Sequence, residues 1–356
     1  MWHIDPTLRK CIMIVLGIET TCDETSAAVV KNGKEILSLV TASQSSLHKR
    51  FGGVFPELAS REHANAILPV IHQALQEAKI SHRELSLISV ANEPGLMGPL
   101  LVGAYTAKAL SFAWNLPLVG VHHVMAHSYA AMMCSATCSY PAIGLIVSGG
   151  HTVLCKISDV SSYSVISTTV DDAMGECFDK VAGLLDLPYP GGPCIEKLAR
   201  GMDENFYPLT AGKVRGNPLS FSFSGLKTQV LYKAKGQNSS RRDPCLLSDR
   251  EKGNLAASFQ RVICSDVIEK SLLACNLYGC HSIYVGGGVA QNQYFQELFI
   301  TQAADRASIH FPSGALCADN GAMIAGLGFH LYTKRVSSEE EMLVCRPTGK
   351  CSLFSS

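Results

Sequence analysis

Two histidines that stand four residues apart are the first candidates for chemistry in this chain. His123 and His127 belong to the pentapeptide His-Val-Met-Ala-His, directly after the apolar run 116–121. On an α-helix this spacing places both imidazoles on one face, one turn apart. Such a pair can bind a divalent metal ion, although a packed or solvated histidine pair has the same spacing. The spacing alone leaves both interpretations open.

The residue between the two histidines bears on which metal chemistry is possible. The zinc-protease helix H-E-x-x-H carries a glutamate after its first histidine, and this glutamate is the general base. Val124 occupies that position here. The pair can therefore bind a metal ion, but the sequence disfavours peptide hydrolysis.

A carboxylate near the other end of the chain could complete a metal site. Asp319 opens the segment 319–326, where its position predicts a helix N-cap. The same carboxylate could instead be the third ligand of the histidine pair. Two histidines and one carboxylate leave coordination positions open, which is typical of catalytic metal sites.

Two glycine-rich turns could approach a phosphate closely. Ser148-Gly149-Gly150 follows the predicted strand 143–147, and 286–288 are three glycines after the predicted strand 282–285. Glycine turns expose backbone N–H groups to an anion. Neither turn is a G-x-G-x-x-G or a P-loop sequence, and each alone fits an ordinary turn. Together they favour a nucleotide site.

An acidic stretch lies between these turns in sequence. It contains Asp171, Asp172, Glu176 and Asp179. We predict a helix that carries Asp172, Glu176 and Asp179 on one face. Acids at a helix start are stabilised by the helix dipole, and a carboxylate there could also bind ribose hydroxyls. The rigid turn 189–193 could brace the sugar.

The hydrophobic pattern predicts the elements that position these residues. It predicts helices over 58–79 and 103–114, and strands over 14–18, 27–30, 36–41, 85–90, 116–121, 143–147, 153–157, 163–168 and 282–285. Each half of the chain thus opens with a hairpin, which is a weak internal repeat. We expect a two-lobed α/β fold of the actin-like, ribonuclease H-like type, with a nucleotide cleft between the lobes.

The predicted domains follow from this repeat. We expect an N-terminal lobe over 14–140, a C-terminal lobe over 141–330 with a basic insertion near 203–255, and a C-terminal tail over 331–356. The 356 residues are 47% hydrophobic and 17% charged, which is typical of a globular protein with a sizeable core.

Charge, hydropathy and cysteine spacing narrow the possible environments. Lysines and arginines number 30, as do acids, so a nucleic acid partner would have to meet a local basic patch. No apolar run reaches the roughly 20 residues of a membrane span, and the N-terminus has no signal-peptide core. The 14 cysteines contain no C-x-x-C pair. We therefore expect a cytoplasmic protein with reduced thiols and no membrane partner, a mitochondrial location being the alternative.

Taken together, these motifs resemble one family closely. It is the bacterial type of tRNA N6-adenosine threonylcarbamoyltransferase, or TsaD, once labelled a glycoprotease or sialoglycoprotein endopeptidase. The resemblance runs from about Ile14 to about Gly328 and keeps its motifs in order. They are 17–25, 51–63, 121–127, 147–152, 178–180, 189–193, 221–228, 287–292 and 319–325.

The resemblance implies a function. Members of this family transfer the threonylcarbamoyl group of threonylcarbamoyl-AMP to N6 of adenosine 37 in tRNAs that read ANN codons. It implies that His123, His127 and Asp319 bind one divalent ion, Fe²⁺ first, with Zn²⁺ or Mg²⁺ as alternatives. The residues implied to bind the adenylate are Ile146, Val147, Ser148, Gly149, Gly150, Asp179, Gly192, Glu196 and Asn292.

The resemblance also implies partners, which are a metal-free TsaB-like paralogue and a small TsaE-like ATPase. Five basic residues could face tRNA, although a solvated surface is an equal alternative; they are Lys227, Lys233, Lys235, Arg241 and Arg242. Asp23 or Glu24 could accept the proton of the attacking amine.

Two departures from the family pattern stand out. Met125 and Ala126 replace the glutamate and glycine that usually precede the last histidine, and Glu93-Pro94-Gly95 replaces a Gly-Pro-Gly turn. Neither change touches the implied metal or nucleotide ligands. A non-catalytic actin-like scaffold is the main alternative function, a metalloprotease is the weaker one, and a sugar kinase lacks a recognisable sugar motif.

Overall fold

The computed structural model describes residues 12–48, 53–237, 239–240, 243–338 and 346–349. Within these ranges the chain forms ten strands and ten α-helices, joined by turns and short 3₁₀ segments. None of the helices in this part of the chain is both long enough and apolar enough to cross a membrane.

The strands and helices alternate along the chain. The strands are β1 (Ile14–Glu19), β2 (Glu24–Lys31), β3 (Glu35–Ser43), β4 (Leu87–Glu93), β5 (Leu118–His122), β6 (Ala142–Val147), β7 (Thr152–Asp159), β8 (Ser162–Thr168), β9 (Ser282–Gly286) and β10 (Ser308–His310). The helices are α1 (Ser45–His48), α2 (Pro56–Glu77), α3 (Met97–Trp114), α4 (His123–Cys134), α5 (Met174–Leu184), α6 (Gly191–Ala199), α7 (Ser224–Lys235), α8 (Asp249–Tyr278), α9 (Gln293–Ala303) and α10 (Gly321–Ser338).

The first sheet has the strand order β3-β2-β1-β4-β5. β1 pairs with β2 and β2 with β3 in antiparallel fashion, whereas β4 is parallel to both β1 and β5. The predicted hairpin turn joins β2 to β3, and its Asn32 and Gly33 both have positive φ. Asparagine and glycine are the residues that adopt this conformation most readily, which explains the tight turn.

The second sheet has the order β10-β9-β6-β7-β8 and repeats the plan of the first. β6 is antiparallel to β7 and parallel to β9, as β1 is to β2 and β4. The predicted internal repeat is therefore confirmed. Every predicted strand overlaps an observed one, while the three-residue β10 is too short to leave a hydrophobic pattern.

The chain divides into two compact units. Of the residues that the structure describes, those within Met1–Ala136, Val160–Ser162 and Ala318–Ser356 form the first unit, and those within Thr137–Asp159 and Tyr163–Cys317 form the second. This division differs from the predicted lobes, which assigned 318–330 to the C-terminal lobe. The reason is that α10 packs on β1, β2, β4 and α4, all of which belong to the first unit.

The predicted insertion near 203–255 contributes to the core of the second unit. Phe221, Phe223, Leu226 and Leu255 are all fully buried or nearly so, and they pack in one cluster with residues of β6 and α5. Burial of such large apolar side chains is the main contribution to stability in a core. The segment therefore has a buried apolar face, which its basic composition did not indicate.

Candidate metal centre and phosphate-binding turns

The two histidines enter the first unit together on α4. β5 ends at His122, and α4 begins at His123 and continues through His127. Their ring centroids are 4.7 Å apart, and both side chains are almost completely buried. The predicted placement on one helical face is confirmed.

Asp319 reaches the same point from the start of α10. Its Oδ1 lies 3.2 Å from Nε2 of His127 and 3.6 Å from Nε2 of His123. The ligand atoms of the three residues lie within 4.8 Å of one another, which is close enough for one metal ion to contact all three.

The prediction that Asp319 caps α10 is wrong. The cap is its neighbour Asn320, whose Oδ1 accepts a hydrogen bond of 2.9 Å from the backbone N–H of Met323. Both residue types cap helices well, so sequence could not separate them. Because Asn320 takes the capping role, the carboxylate of Asp319 faces the imidazoles.

Glycines allow α10 to begin directly against the first sheet. A Cβ on Gly17 would overlap the carbonyl oxygen of Gly321, and a Cβ on Gly321 would lie 2.7 Å from the backbone nitrogen of Ala28. Ser26 Oγ also accepts a 3.0 Å hydrogen bond from the N–H of Gly321. These contacts fix the chain two residues after Asp319 and thereby position its carboxylate.

A residue without a predicted role, Glu19, lies behind His123. Glu19 is the last residue of β1 and is completely buried. Its Oε2 is 2.9 Å from Nδ1 of His123, and its Oε1 accepts a 2.6 Å bond from the backbone N–H of Thr21. The only available signal was a carboxylate at the end of an apolar strand.

The turn between β1 and β2 is shorter than the interval between the predicted strands 14–18 and 27–30, because both observed strands extend into that interval. His63 on α2 holds this turn, with Nε2 3.0 Å from the carbonyl oxygen of Cys22 and Nδ1 2.7 Å from Thr25 Oγ1. A carbonyl can only accept, so Nε2 carries the proton and Thr25 donates to Nδ1.

The site favours positive charge. Burial lowers the pKa of His123, but Glu19 and Asp319 outweigh it and raise this pKa to about 9. Burial, together with Asp319 and Asp23, also raises the pKa of Glu24 to about 9. Several carboxylates thus share one buried region, and a cation bound there would stabilise their charged forms.

His127 provides a direct test of whether a metal ion fits. Neither of its buried ring nitrogens has a hydrogen-bond partner among the described residues, although Nε2 faces Asp319. A buried imidazole without hydrogen bonds is costly unless something else satisfies it. Two imidazoles and a carboxylate are ligands suited to Fe²⁺ or Zn²⁺, so these residues fit such an ion.

In the second unit, three backbone segments meet at the end of β6. The N–H of Gly175, in the first turn of α5, donates a 3.1 Å bond to the carbonyl of Ser148. A Cβ on Gly287, which has a φ of 96°, would overlap the carbonyl oxygen of Val147. By contrast, Cβ atoms on Gly149, Gly150 or Gly288 would meet no described atom within 4 Å. The two glycine turns therefore lie together and leave open space beside them.

The side chains implied to bind the adenylate hold helix starts in place. Asp179 Oδ1 accepts a 2.7 Å bond from Gly191 N–H at the start of α6, and burial raises the pKa of Asp179. Asn292 Oδ1 accepts from Phe295 N–H at 2.8 Å, as the N-cap of α9. Glu196 accepts a 2.8 Å bond from Gln293 N–H. These bonds connect α5, α6 and α9.

Comparison with known proteins identifies the family. The family model described as TsaD, tRNA N6-adenosine threonylcarbamoyltransferase, matches residues 35–326. The chain belongs to this family. The protein named tRNA N6-adenosine threonylcarbamoyltransferase in Protochlamydia amoebophila is 50% identical over 92% of this chain and 95% of its own length. Its counterpart in Chlamydia pneumoniae is 46% identical over 94% of this chain and 95% of its own.

Solved structures show the fold of this TsaD-family chain. HypF from T. kodakarensis superimposes with a TM-score of 0.62 at 14% identity, over 91% of this chain and 48% of HypF. Component A of the (R)-2-hydroxyglutaryl-CoA dehydratase from Acidaminococcus fermentans superimposes with a TM-score of 0.52 at 14% identity. The match covers 91% of this chain and 99% of component A. The predicted actin-like α/β fold is confirmed.

One prediction about the acidic stretch of this TsaD-family chain is wrong. Asp172 does not lie on a helix with Glu176 and Asp179, because α5 begins only at Met174. Asp171 accepts bonds from Phe223 N–H at 2.8 Å and from two serine hydroxyls at the start of α7. Asp172 pairs with Lys180 and Lys227.

The basic residues that were predicted to face tRNA are not all exposed. Lys227 is bound to Asp172 and Lys235 is buried, so neither presents a free cation to a ligand. Lys233 is exposed on α7, whereas Arg241 and Arg242 lie outside the described residues.

A cavity of about 260 Å³ lies in the second unit. Its lining includes Glu196, which the family resemblance assigns to the adenylate, together with Arg200, Gln260, Gln293 and Tyr294. Gln260 Oε1 also accepts a 3.1 Å bond from Asn292 Nδ2. The cavity is therefore connected to two implied adenylate ligands.

Proposed function

We propose that this protein transfers the threonylcarbamoyl group of threonylcarbamoyl-AMP to N6 of adenosine 37 in tRNAs that read ANN codons. The observation that carries the proposal is the convergence of His123, His127 and Asp319 on one point in a chain of the TsaD family. Family membership supplies the reaction class, and the three converging ligand atoms supply a place for its electrophile.

The reaction needs positioning rather than a covalent protein intermediate. Threonylcarbamoyl-AMP is a mixed anhydride and is already activated. The N6 amine attacks the carbamoyl carbon, the bond from this carbon to the phosphate oxygen breaks, AMP leaves, and N6 loses one proton. An exocyclic adenine amine is a weak nucleophile, so orientation and stabilisation of developing charge must provide most of the acceleration.

His123, His127 and Asp319 would hold one divalent ion. Such an ion, when bound, supplies Lewis-acid polarisation of a carbonyl or phosphoryl oxygen. We favour Fe²⁺, as the family resemblance implies, with Zn²⁺ next, because two imidazoles suit both ions better than Mg²⁺.

The end of β6 would hold AMP. We propose that backbone groups from Ile146 to Gly150 line the phosphate, with α5 beginning at the same turn. A helix N-terminus favours an anion, and glycines without neighbouring atoms leave room for it. Asp179, Gly192, Glu196 and Asn292 would complete the adenylate site around the starts of α6 and α9.

The proton leaving N6 needs an acceptor close to the metal ligands. Burial, Asp319 and Asp23 raise the pKa of Glu24 to about 9, so without a cation beside it Glu24 already holds a proton at pH 7. We therefore assign the acceptor role to Asp23, which is half-buried in the same turn. Glu24 can then act as a hydrogen-bond donor.

We propose tRNA, a TsaB-like paralogue and a TsaE-like ATPase as partners, and a cytoplasmic location. The alternatives have less support. Val124 is completely buried where a metalloprotease carries its base, and a non-catalytic scaffold would have no use for three converging metal ligands.

The test is a reconstitution with unmodified tRNA, threonine, bicarbonate, ATP, the adenylate synthase and both partners. Mass spectrometry of digested tRNA should detect threonylcarbamoyladenosine with the wild-type protein and not with His123→Ala. The matched control is His72→Ala, an exposed histidine on α2, which should keep full activity. If the wild type yields no modified nucleoside, the proposal is wrong.

A further inference from the structure

We propose that Glu19 is the positioning residue for the metal ligand His123. This inference rests on the proposed metal site and extends it to a residue that does not contact the ion. The bond between Glu19 Oε2 and His123 Nδ1 is 2.9 Å long, and both side chains are buried. Glu19 thus acts on the site through the orientation and protonation of one imidazole.

The chemistry of the two groups fixes the tautomer. An ionised carboxylate can only accept a hydrogen bond, so Nδ1 of His123 carries the proton. Nε2, which faces Asp319 at 3.6 Å, is therefore the nitrogen left to bind a metal ion once it has given up its own proton. The same pattern, a carboxylate behind a metal-binding imidazole, makes the imidazole a better ligand in metalloproteins.

Glu19 is itself held firmly enough to do this. Its second oxygen, Oε1, accepts the 2.6 Å bond from Thr21 N–H, in the turn that His63 fixes through Cys22. Glu19 also ends β1, which is hydrogen-bonded on both sides by β2 and β4. A rigid carboxylate therefore limits the rotation of the His123 ring.

The two histidines differ in this respect. His127 has no hydrogen bond to either ring nitrogen among the described residues; its Nε2 faces Asp319 at 3.2 Å, but no carboxylate holds its Nδ1. Thr21 Oγ1 is a second, weaker neighbour of His123 Nδ1, at 3.2 Å. Glu19 and Thr21 can thus be separated by substitution, because only Glu19 brings a charge.

The experiment measures metal affinity rather than turnover. Metal-free protein, prepared with a chelator, is titrated with Zn²⁺ against a chromophoric competitor at a temperature where every variant is folded. Glu19→Gln keeps a hydrogen-bond acceptor and removes the charge. We expect its Kd for Zn²⁺ to rise about 10- to 100-fold. Thr21→Val should change Kd less than about threefold, since Glu19 remains.

Two controls make the outcome specific. Asp266→Asn removes a partly buried carboxylate of the second unit, paired with Lys270, and should leave Kd unchanged. Co²⁺ absorption spectra report the ligand geometry, and Glu19→Gln should alter the spectrum that Thr21→Val preserves. A purely structural role would instead lower the melting temperature of Glu19→Gln without moving Kd or the spectrum.

The outcomes separate this inference from the proposed function. If wild-type protein binds Zn²⁺ and His127→Ala abolishes the binding, the metal site stands. An unchanged Kd in Glu19→Gln would then overturn the positioning role alone. If wild type and His127→Ala bind Zn²⁺ equally, both the metal site and the role of Glu19 are wrong.

Discussion

Oδ1 of Asp319 lies 3.2 Å from Nε2 of His127, although the two residues are far apart in sequence. The contact exists because α10 begins against β1 and α4 begins after β5, both within the first unit. A carboxylate and an imidazole at this distance, with a second imidazole beside them, can be bridged by one ion.

The first prediction concerns the third ligand. Asp319→Asn should lower the rate of threonylcarbamoyl transfer at least about 100-fold, equivalent to roughly 2.7 kcal/mol, because a metal ligand is lost. Metal-free Asp319→Asn should melt close to metal-free wild type, because Asp319 stabilises the charged form of His123 but also adds negative charge beside Glu24, and these two effects oppose each other. Differential scanning fluorimetry and a transfer assay measure the two effects. A less stable metal-free variant would indicate a structural role.

The second prediction concerns the glycine contact that places α10. Gly17→Ala should reduce the free energy of unfolding by about 1–3 kcal/mol, because its Cβ would overlap the carbonyl of Gly321. It should also weaken metal binding, since Asp319 stands two residues before Gly321, where α10 begins. Gly183→Ala is the matched control, because a Cβ there meets no described atom within 4 Å. Equal effects of the two substitutions in urea unfolding would contradict this account.

The third prediction concerns the proposed phosphate turn. Gly150→Val should raise the Kd for AMP at least about tenfold, or roughly 1.4 kcal/mol, by filling the space that the phosphate would occupy. It should leave the melting temperature nearly unchanged, because a Cβ at Gly150 meets no described atom within 4 Å. Isothermal titration calorimetry with AMP measures the first effect, and Gly225→Ala serves as control. If Gly150→Val binds AMP as tightly as wild type, the phosphate does not bind at this turn.

The fourth prediction is a pH dependence of stability at the start of α7. Burial raises the pKa of Asp171, but hydrogen bonds from Ser224 and Phe223 outweigh it and hold this pKa below its usual value. A group with a lowered pKa stabilises the fold above its unfolded pKa of about 3.9 and loses this contribution as the pH falls.

Asp171→Asn should therefore reduce stability near neutral pH by about 0.5–2 kcal/mol, the usual effect of losing a helix cap. Urea unfolding at several pH values should show a constant difference from wild type above about pH 5 and a shrinking one below it. A difference that stays constant to pH 3 would show that the charge of Asp171 is not involved.

The sequence was most informative where a pattern is local. The four-residue spacing of His123 and His127 and the alternation in the strands both depend on neighbours along the chain, and both were predicted correctly. The choice between Asp319 and Asn320 as helix cap was wrong, because two adjacent capping residues differ only in which one begins the helix. Asp172 was misplaced for a similar reason, since α5 begins two residues after it.

Long-range contacts could not be read from the sequence. Glu19 meets His123 only because the sheet order β1-β4-β5 brings the ends of parallel strands to one edge. Nothing near Glu19 in sequence specifies that partner. The burial of Lys235 and the pairing of Lys227 with Asp172 likewise depend on the packing of the second unit. The basic composition alone therefore predicted an exposed surface where part of the segment is buried.

The most direct test of the central claim is a single-turnover transfer from labelled threonylcarbamoyl-AMP to unmodified tRNA, in the presence of the two partners. Metal-free protein should transfer no label to N6 of adenosine 37, and one equivalent of Fe²⁺ or Zn²⁺ should restore transfer in wild type but not in His127→Ala. Transfer at the wild-type rate by metal-free protein, or by His127→Ala, would contradict the account.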